Sequence, residues 1–338
     1  MNIISVDGGA TKTIAVVHST EGRILGVGVA GSSNYKNVGL ITFNRNLLSA
    51  IEKAKENSGV NEVEEYTFAL AGMKDSEKDS KTIIDTLNGM LPDTKLSFYN
   101  DGEAGFYSRF PEGTGIVVAP GTGMVSYGVY DGRVERSCGW GWFLDDEGSG
   151  FSIGTKCLRE ATKLMDLRAD RDTRVLNFVR EYFKLSDDRE LVSRVGRGKL
   201  DIRGIALLAT HVSRLAEEDD AVANEIMNEA AHETANAAIS LYKRLGSPTE
   251  INISGYGGVL RAGEWYWNRI TREIDERIGK MKYKPPLFGY EAVIGSMVLR
   301  HIEDGEAMGD RSVASFRKQL TAIIDKLDTK DKREFLLM

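Results

Sequence analysis

The 338-residue sequence has little of what marks membrane, secreted or nucleic-acid-binding proteins. No apolar run approaches the ~20 residues that a membrane-spanning helix needs. The two cysteines do not make the disulfide framework of a secreted domain. The net charge is -6 and no basic block stands out, which argues against nucleic acid as a partner. We therefore expect a cytoplasmic protein that binds neither nucleic acid nor membranes.

The sequence also lacks the side-chain clusters of a metal centre. Its four histidines are scattered, without the i, i+4 spacing of helical zinc ligands. Cys138 and Cys157 stand apart, and we interpret them as two small buried thiols. The acidic stretch EEDDAVANE (217–225) is typical of a solvated helix start, so we expect no metal there.

What the sequence does have is a polar, glycine-rich stretch between two apolar strands, DGGATKT at residues 7–13. Gly8 and Gly9 can adopt positive φ angles, which would let the backbone approach a ligand closely. The N–H groups of such a turn, with the hydroxyls of Thr11 and Thr13, suit phosphate oxygens. Asp7 would face the phosphates and could hold a metal ion through water. An ordinary β-hairpin is the alternative for this turn taken alone.

Apolar periodicity predicts that one order of strands and helices occurs twice along the chain. The first group has strands at 3–7, 13–19 and 24–31, a helix at 40–57, a strand at 66–72, a helix at 75–90, a strand at 95–100 and a short helix from Asp101. The second has strands at 115–120, 124–130 and 133–137, a long helical stretch over about 150–245, a strand at 250–255 and a helix at 260–278. Two last helices are predicted at 289–303 and 311–327.

This repetition predicts two domains of similar architecture. A single hydrophobic core stops growing at ~250–300 residues, which favours the same division. The predicted parts are an N-terminal domain at 1–112, a C-terminal domain at 113–303 with a helical insertion at 150–245, and a helical tail at 304–338. The helix near 289–303 is a candidate to pack back onto the first domain. Two facing halves would place both glycine turns in one cleft, and two unrelated sheets are the alternative.

Several motifs resemble, in the same order, those of the actin, sugar kinase and heat-shock ATPase superfamily. DGGATKT looks like its phosphate-binding hairpin, APGTGMVSYG (119–128) like its second phosphate loop, and ISGYGG (253–258) like its adenosine loop. Asn100-Asp101 followed by Glu103-Ala104, and GWGWFLDDEGSG (139–150), resemble the N-acetylglucosamine kinase branch. That branch shares a sequence family with the ATPases that activate benzoyl-CoA reductase.

The resemblance covers Met1 to about Arg300 and implies an α/β fold. The implied fold is that of the actin-like ATPases (ribonuclease H-like), with two similar βββαβα domains around a central nucleotide cleft. It also implies that ATP and Mg²⁺ bind, with Asp7 as the first candidate for the metal-binding carboxylate, through water, and Asp101 as the second. The implied ATP-binding residues are Gly8, Gly9, Ala10, Thr11, Lys12, Thr13, Gly121, Thr122, Gly123, Gly255, Gly257 and Gly258. For Gly257 and Gly258, a simple strand cap is the alternative.

Asp101 is the predicted catalytic residue. It follows a strand, and strand ends deliver catalytic groups to the binding edge of α/β sheets. A sugar hydroxyl that attacks a phosphoryl group needs an acceptor for its proton, and a carboxylate within hydrogen-bond reach can serve. The alternative role is helix N-cap, for which Asp is also favoured.

The resemblance places the sugar site around the acidic loop at 139–150. The implied sugar-binding residues are Asn34, Gly72, Asp101, Gly139, Trp140, Asp146 and Glu147. An acidic N-cap cluster for a helix from Ser152, and a core position for Trp140, are the alternatives. Asp145 replaces a glycine of the related kinases, and Ala71 stands where the animal enzymes have a serine. These departures leave the identity of the sugar open.

We predict an ATP-dependent sugar kinase that acts as a homodimer. The acceptor is a hexose, an amino sugar such as N-acetylglucosamine, or a sugar acid such as 2-keto-3-deoxygluconate. One alternative is an iron–sulfur activator-type ATPase that drives electron transfer to a dehydratase or reductase. That activity would need two cysteines from each of two subunits to hold the cluster. A non-enzymatic actin-like scaffold is the third hypothesis.

Overall fold

A computed structural model describes residues 1–74, 76–196 and 200–336 of the chain. The chain divides into two compact units. Unit 1 comprises Met1–Gly115, Val129–Gly132 and Gly289–Met338, and unit 2 comprises Ile116–Gly128 and Arg133–Phe288. Within the described ranges, no helix is both long enough and apolar enough to cross a membrane.

The first five-stranded sheet has the strand order β3-β2-β1-β4-β5. Its strands and the intervening helices are β1 (Asn2–Gly8), β2 (Lys12–Ser19), β3 (Ile24–Gly31), α1 (Tyr35–Ser58), β4 (Glu65–Leu70), α2 (Glu77–Met90), β5 (Lys95–Asn100) and α3 (Asp101–Tyr107). Strands β1, β4 and β5 are parallel, with Gly8 opposite Leu70 and Leu70 opposite Asn100. The carboxyl ends of these three strands therefore lie at one edge of the sheet.

Alternating residues of β2 face opposite sides of this sheet, because side chains alternate along a strand. Ala15 and Val17 pack in a cluster with the apolar residues of α1 and α2. Ile14 and Val16 pack in a second cluster, with residues of the last three helices of the chain. Those helices are α10 (Ala292–Glu303), α11 (Asp310–Ile324) and α12 (Thr329–Leu336). Unit 1 thus buries apolar side chains on both faces of its sheet.

The second five-stranded sheet has the strand order β10-β9-β6-β7-β8. Its strands are β6 (Gly115–Pro120), β7 (Met124–Tyr130), β8 (Arg133–Cys138), β9 (Asn252–Gly255) and β10 (Lys282–Tyr283). When the second order is taken from β8 to β10, it matches the first sheet position by position, with β6 in the place of β1 and β9 in the place of β4. The predicted repetition of the strand pattern is confirmed.

Helices separate β8 from β9 and β9 from β10. They are α4 (Gly150–Met165), α5 (Val175–Phe183), α6 (Glu190–Val195), α7 (Ile202–Glu217), α8 (Ala221–Arg244), a 3₁₀ helix (Gly258–Ala262) and α9 (Glu264–Ile278). Asp220 caps α8 by accepting a hydrogen bond from the Ala223 N–H group, as expected for the acidic stretch at 217–225.

Several predicted boundaries differ from the observed ones for local reasons. Helix α1 begins at Tyr35 rather than at 40, across a kink at Gly39, where φ is 73°. The predicted helix 260–278 is two helices, separated at Gly263, where φ is 113°. Strand β10 was not predicted, because two residues are too few for a periodic signal. Asp75 of one predicted helix and residues 337–338 of the predicted tail lie outside the described residues.

Candidate active site

In unit 1 the strand edge brings two predicted site carboxylates into one region. Asp7 lies near the end of β1, and Asp101 begins α3 directly after β5. Gly72, with a φ of 89°, follows β4, which lies between those two strands. A hydrogen bond of 2.8 Å from the Ala71 N–H group to the Gly8 carbonyl ties that turn to β1. The topology of the sheet therefore assembles residues that are far apart in sequence.

Asp7 and Asp101 are electrostatically coupled. Asp7 is buried, and burial together with the negative charge of Asp101 raises its pKa to about 8, while the charge of Lys12 opposes the rise. A cation placed beside these carboxylates would remove the repulsion between them. Such oxygen donors suit Mg²⁺, which takes one or two carboxylates and keeps water and phosphate oxygens as its other ligands. Among the residues described, no cluster of three or more His, Cys, Asp or Glu could hold a metal.

Asp101 is not the N-cap of its helix, so that alternative is wrong. Asn100 is the N-cap, and it forms a capping box with Glu103. The Asn100 side chain accepts a hydrogen bond of 2.9 Å from Gly102 N–H, and Glu103 Oε2 accepts one of 2.8 Å from Asn100 N–H. Asp101 Oδ1 also lies 3.0 Å from the Gly102 nitrogen. The stability of the helix start therefore does not depend on Asp101 alone.

The first glycine turn connects β1 to β2. Its Gly9 N–H donates to the Lys12 carbonyl at 3.0 Å. The expected positive φ angles are wrong, since neither glycine adopts one. A Cβ atom at Gly8 would lie 2.3 Å from Ser33 Oγ and 2.6 Å from Leu70 Cδ2, so packing requires glycine there. At Gly9 the nearest atom would be 3.7 Å away, which leaves room for a ligand to approach.

The threonines of this turn differ in their surroundings. Thr13 is fully buried and donates its hydroxyl to the Gly31 carbonyl at 2.8 Å. The expectation that the Thr13 hydroxyl binds phosphate is therefore wrong, because a ligand cannot reach it. Ala10, Thr11 and Lys12 are only partly buried.

The loop after β3 lies against the first glycine turn. Ser33 N–H donates to the Gly9 carbonyl at 3.3 Å. Ser33 Oγ and Asn34 Oδ1 are buried polar atoms without a hydrogen-bond partner in the described ranges. Asn34 is the N-cap of α1, yet its side chain makes no capping bond. Since buried polar groups are normally paired, these two oxygens keep unused hydrogen-bonding capacity beside the turn. The prediction included Asn34 and missed Ser33, although two serines directly precede the asparagine.

In unit 2 the second glycine turn is held by backbone hydrogen bonds from the start of α4. Gly150 N–H donates to the Gly121 carbonyl at 2.8 Å, and Phe151 N–H donates to the Thr122 carbonyl at 3.1 Å. The turn itself is closed by a bond of 2.9 Å from Gly121 N–H to the Gly123 carbonyl. The predicted phosphate turn and the predicted sugar loop therefore form one connected structure.

The acidic loop supplies a side chain to the same turn. Asp146 is buried, and its Oδ1 accepts a hydrogen bond of 3.2 Å from Met124 N–H. A Cβ atom at Gly123 would lie 2.7 Å from Asp146 Oδ2, so the two positions are closely packed. Burial, aided by the charge of Asp145, raises the pKa of Asp146. Glu147 is exposed. In this geometry Asp146 contacts the glycine turn.

Neither alternative for this loop is correct. Ser149, and not an acidic residue, caps α4 by accepting a hydrogen bond from Ser152 N–H. Trp140 is 77% exposed, so it does not belong to the core. Gly139 adopts a φ of 80°, and its carbonyl accepts a hydrogen bond of 2.7 Å from Arg136 Nη2.

The predicted adenosine loop lies against the second glycine turn. Gly257 has a φ of 142°, and a Cβ atom there would lie 2.4 Å from the Pro120 carbonyl oxygen and 3.2 Å from the Gly121 nitrogen. Gly255 ends β9, and Gly258 begins the 3₁₀ helix. The glycine at 257 thus permits a close backbone approach between two predicted nucleotide loops.

Residues 4–299 match the model of the BadF/BadG/BcrA/BcrD ATPase family. The chain belongs to the BadF/BadG/BcrA/BcrD ATPase family. The predicted family membership is confirmed. The members of this family are described as ATPases.

Two curated relatives resemble this family member in sequence. An N-acetylmuramic acid/N-acetylglucosamine kinase of Clostridium acetobutylicum is 26% identical over 284 residues, 83% of this chain and 92% of the relative. An N-acetyl-D-glucosamine kinase of Dictyostelium discoideum is 29% identical over 261 residues, 73% of this chain and 81% of the relative.

A solved structure shares the fold of this BadF/BadG/BcrA/BcrD family member. It is a proposed N-acetylglucosamine kinase of Chromobacterium violaceum, 22% identical, with a TM-score of 0.73. The match covers 88% of this chain and 98% of the other. The α/β actin-like fold predicted from the motifs is confirmed.

The cysteines of this BadF/BadG/BcrA/BcrD family member lie in surroundings that disfavour thiolates. Cys157 is fully buried in α4, as predicted, whereas Cys138, at the end of β8, is only partly buried. Burial raises the pKa of Cys138 to about 11 and that of Cys157 to about 12. A cluster shared by two subunits needs two accessible cysteines from each, and the fully buried Cys157 cannot reach a partner subunit. The structure therefore offers no support for a cluster between subunits.

Proposed function

We propose that the protein is an ATP-dependent amino-sugar kinase that transfers the γ-phosphoryl group of ATP to a hydroxyl of an N-acetylglucosamine-like sugar. Membership of an ATPase family and the names of both curated relatives support this activity. Of the three acceptor classes predicted from the sequence, the amino sugar is the one that the relatives favour.

One observation in unit 1 carries the proposal. Hydrogen bonds and charge coupling join three groups of this unit. They are the strand edge with Asp7 and Asp101, the first glycine turn, and the buried unpartnered oxygens of Ser33 and Asn34. A phosphoryl-transfer site needs positioning groups, a proton acceptor and a place for a cation. The unpartnered Asn34 Oδ1 would accept a hydrogen bond from a sugar hydroxyl or an amide N–H group.

In the proposed mechanism, Asp101 is the general base. The attacking sugar oxygen forms a bond to the γ-phosphorus while the bond to the β,γ-bridging oxygen breaks and ADP leaves. The proton of the sugar hydroxyl passes to the Asp101 carboxylate. The backbone around Ala10 and Thr11 in the first glycine turn, with the ammonium of Lys12, would orient the γ-phosphoryl group for this attack.

Asp7 would hold Mg²⁺, directly or through water. Held there, the ion would supply positive charge to offset the negative charge of the phosphates. The high pKa of Asp7 fits this role, since a cation relieves the repulsion from Asp101 that contributes to it. The Asp7 carboxylate then stays ionised at neutral pH.

Two loops of unit 2 are also proposed to bind nucleotide. We assign the turn Gly121–Gly123 to the phosphates and the loop Gly255–Gly258 to the adenosine. Gly257 favours this assignment, because a side chain there would clash with the Pro120 carbonyl. Trp140 and Glu147 are exposed and suited to contact the sugar, while Asp146 supports the turn. A homodimer in the cytoplasm remains part of the proposal.

ADP release with a panel of acceptors tests the proposed activity. The panel contains N-acetylglucosamine, N-acetylmuramic acid, glucose, 2-keto-3-deoxygluconate and no sugar. We expect the highest kcat/KM with an N-acetylated sugar and only slow background hydrolysis without one. Fast ATP hydrolysis independent of sugar in a brown, anaerobic preparation would select the iron–sulfur activator. Polymers without turnover would select the scaffold.

A further inference from the structure

The segment after α10 lies outside the family match, which ends at residue 299. Its two helices, α11 and α12, are nevertheless built into unit 1. Phe316, Leu320 and Phe335 share a buried cluster with apolar residues of β2 and β3. The side chain of Phe335 is only 1% exposed. This segment is therefore a packed part of unit 1.

The segment contacts both ends of the hairpin formed by β2 and β3. At the β2–β3 turn, Gln319 Oε1 accepts a hydrogen bond of 3.0 Å from Ile24 N–H, and a Cβ atom at Gly22 would clash with the ring of Phe316. At the opposite end, Lys12 begins β2, next to the first glycine turn. The ammonium of Lys12 donates a hydrogen bond to the backbone carbonyl of Phe335 in α12.

The contact between Lys12 and α12 has favourable electrostatics. The last carbonyl groups of a helix lack partners within the helix. They also carry the negative end of the helix dipole, which attracts a cation. The described part of α12 ends at Leu336, so the Phe335 carbonyl belongs to its last turn. An ammonium has three donors, so it can bond this carbonyl and other acceptors at the same time.

We propose that α12 positions Lys12 for ATP, with the Phe335 side chain anchoring the helix and the Phe335 carbonyl holding the ammonium beside the first glycine turn. The proposal rests on the proposed function, in which Lys12 contacts the phosphates. A free lysine side chain loses rotamer freedom when it binds a ligand. One that is already held loses less, so α12 raises the affinity for ATP.

A double-mutant cycle on the full chain tests this coupling. The variants are Lys12→Met, Phe335→Ala and the double variant. We expect Lys12→Met to raise the KM for ATP by about 10- to 100-fold, the range for losing one hydrogen bond to a charged group. Phe335→Ala should raise it by about 2- to 10-fold, the range for one side chain that is no longer pre-ordered. The KM for the sugar should stay within twofold in both.

The decisive comparison is made in the Lys12→Met background. If α12 acts through Lys12, adding Phe335→Ala there leaves the KM for ATP unchanged. Multiplied effects in the double variant would overturn the proposal. An unchanged KM for ATP in Phe335→Ala, together with a lower Tm, would also overturn it, because the helix would then only stabilise the fold.

Two further variants control for unfolding and for incomplete release of the helix. Phe316→Ala removes an aromatic ring from the same cluster at the other end of the hairpin, and it should lower Tm while leaving the KM for ATP within twofold. Arg333→Pro breaks α12 directly and should reproduce the Phe335→Ala effect.

If no sugar supports turnover, the proposed function fails, and ATP Kd values from calorimetry on the same variants still decide the role of α12.

Discussion

Replacing Asp7 with Asn should change how the stability of the protein depends on pH. The pKa of Asp7 is raised from 3.8 to about 8 by burial and by the charge of Asp101. The native state therefore keeps a proton on Asp7 that the unfolded state releases above about pH 4. The stability that this bound proton contributes is complete below about pH 4 and is lost as pH rises through 8.

The size of this effect follows from the two pKa values. A change from 3.8 to about 8 corresponds to roughly 6 kcal/mol of unfolding free energy, at ~1.4 kcal/mol for each pKa unit. Asn has nearly the same shape and never ionises. We expect Asp7→Asn to match the wild type near pH 4 and to exceed its stability progressively up to pH 8.5.

Urea unfolding at a series of pH values between 4 and 8.5 measures this difference. Asp85→Asn is a matched control, because Asp85 is an exposed carboxylate on α2. The difference between Asp85→Asn and the wild type measures the effect of replacing one exposed carboxylate with an amide. Mg²⁺ at pH 8 should stabilise the wild type and not Asp7→Asn. Parallel pH profiles for Asp7→Asn and the wild type would refute the raised pKa of Asp7.

Three further predictions concern the loops. Gly9→Val and Gly121→Val should abolish ATP binding. They should not lower Tm much, since a Cβ atom at either position meets no atom closer than 3.7 Å. Unchanged ATP affinity measured by calorimetry would remove that turn from the phosphate site. Asp146→Ala should raise the KM for ATP as well as that for the sugar, because it removes the acceptor of Met124 N–H; steady-state kinetics in which only the sugar KM rises would contradict this role. Trp140→Ala should raise the sugar KM alone and leave Tm unchanged, and an unchanged sugar KM would place the ring outside the sugar site.

The strands and glycine turns were predictable because they depend on short-range signals. Short, nearly continuous apolar runs mark β1, β2 and β3, which are buried on both faces, and a turn such as 7–13 needs small residues wherever it occurs. The recurrence of the same pattern at 115–137 was enough to predict a second sheet of the same order. The helix boundaries at Gly39 and Gly263 were less accessible, because a positive φ at a glycine leaves no mark in the sequence.

The roles of individual site residues depended on long-range packing, which the sequence does not display. Gly8 is required by contact with Ser33 and Leu70. Asp146 has the appearance of a free acidic ligand, yet it is buried against the second glycine turn. The contact of Lys12 with Phe335 joins residues 323 positions apart, and no local pattern indicates it.

The central claim is that Asp101 accepts the proton of the sugar hydroxyl, and the kcat of Asp101→Asn tests it most directly. Asn100 and Glu103 already cap α3, so the substitution should leave Tm nearly unchanged. If Asp101 is the general base, kcat for phosphorylation of N-acetylglucosamine should fall by ~10²–10⁴-fold while ATP affinity changes little. A variant with near wild-type kcat would contradict the mechanism and would assign the proton to another group.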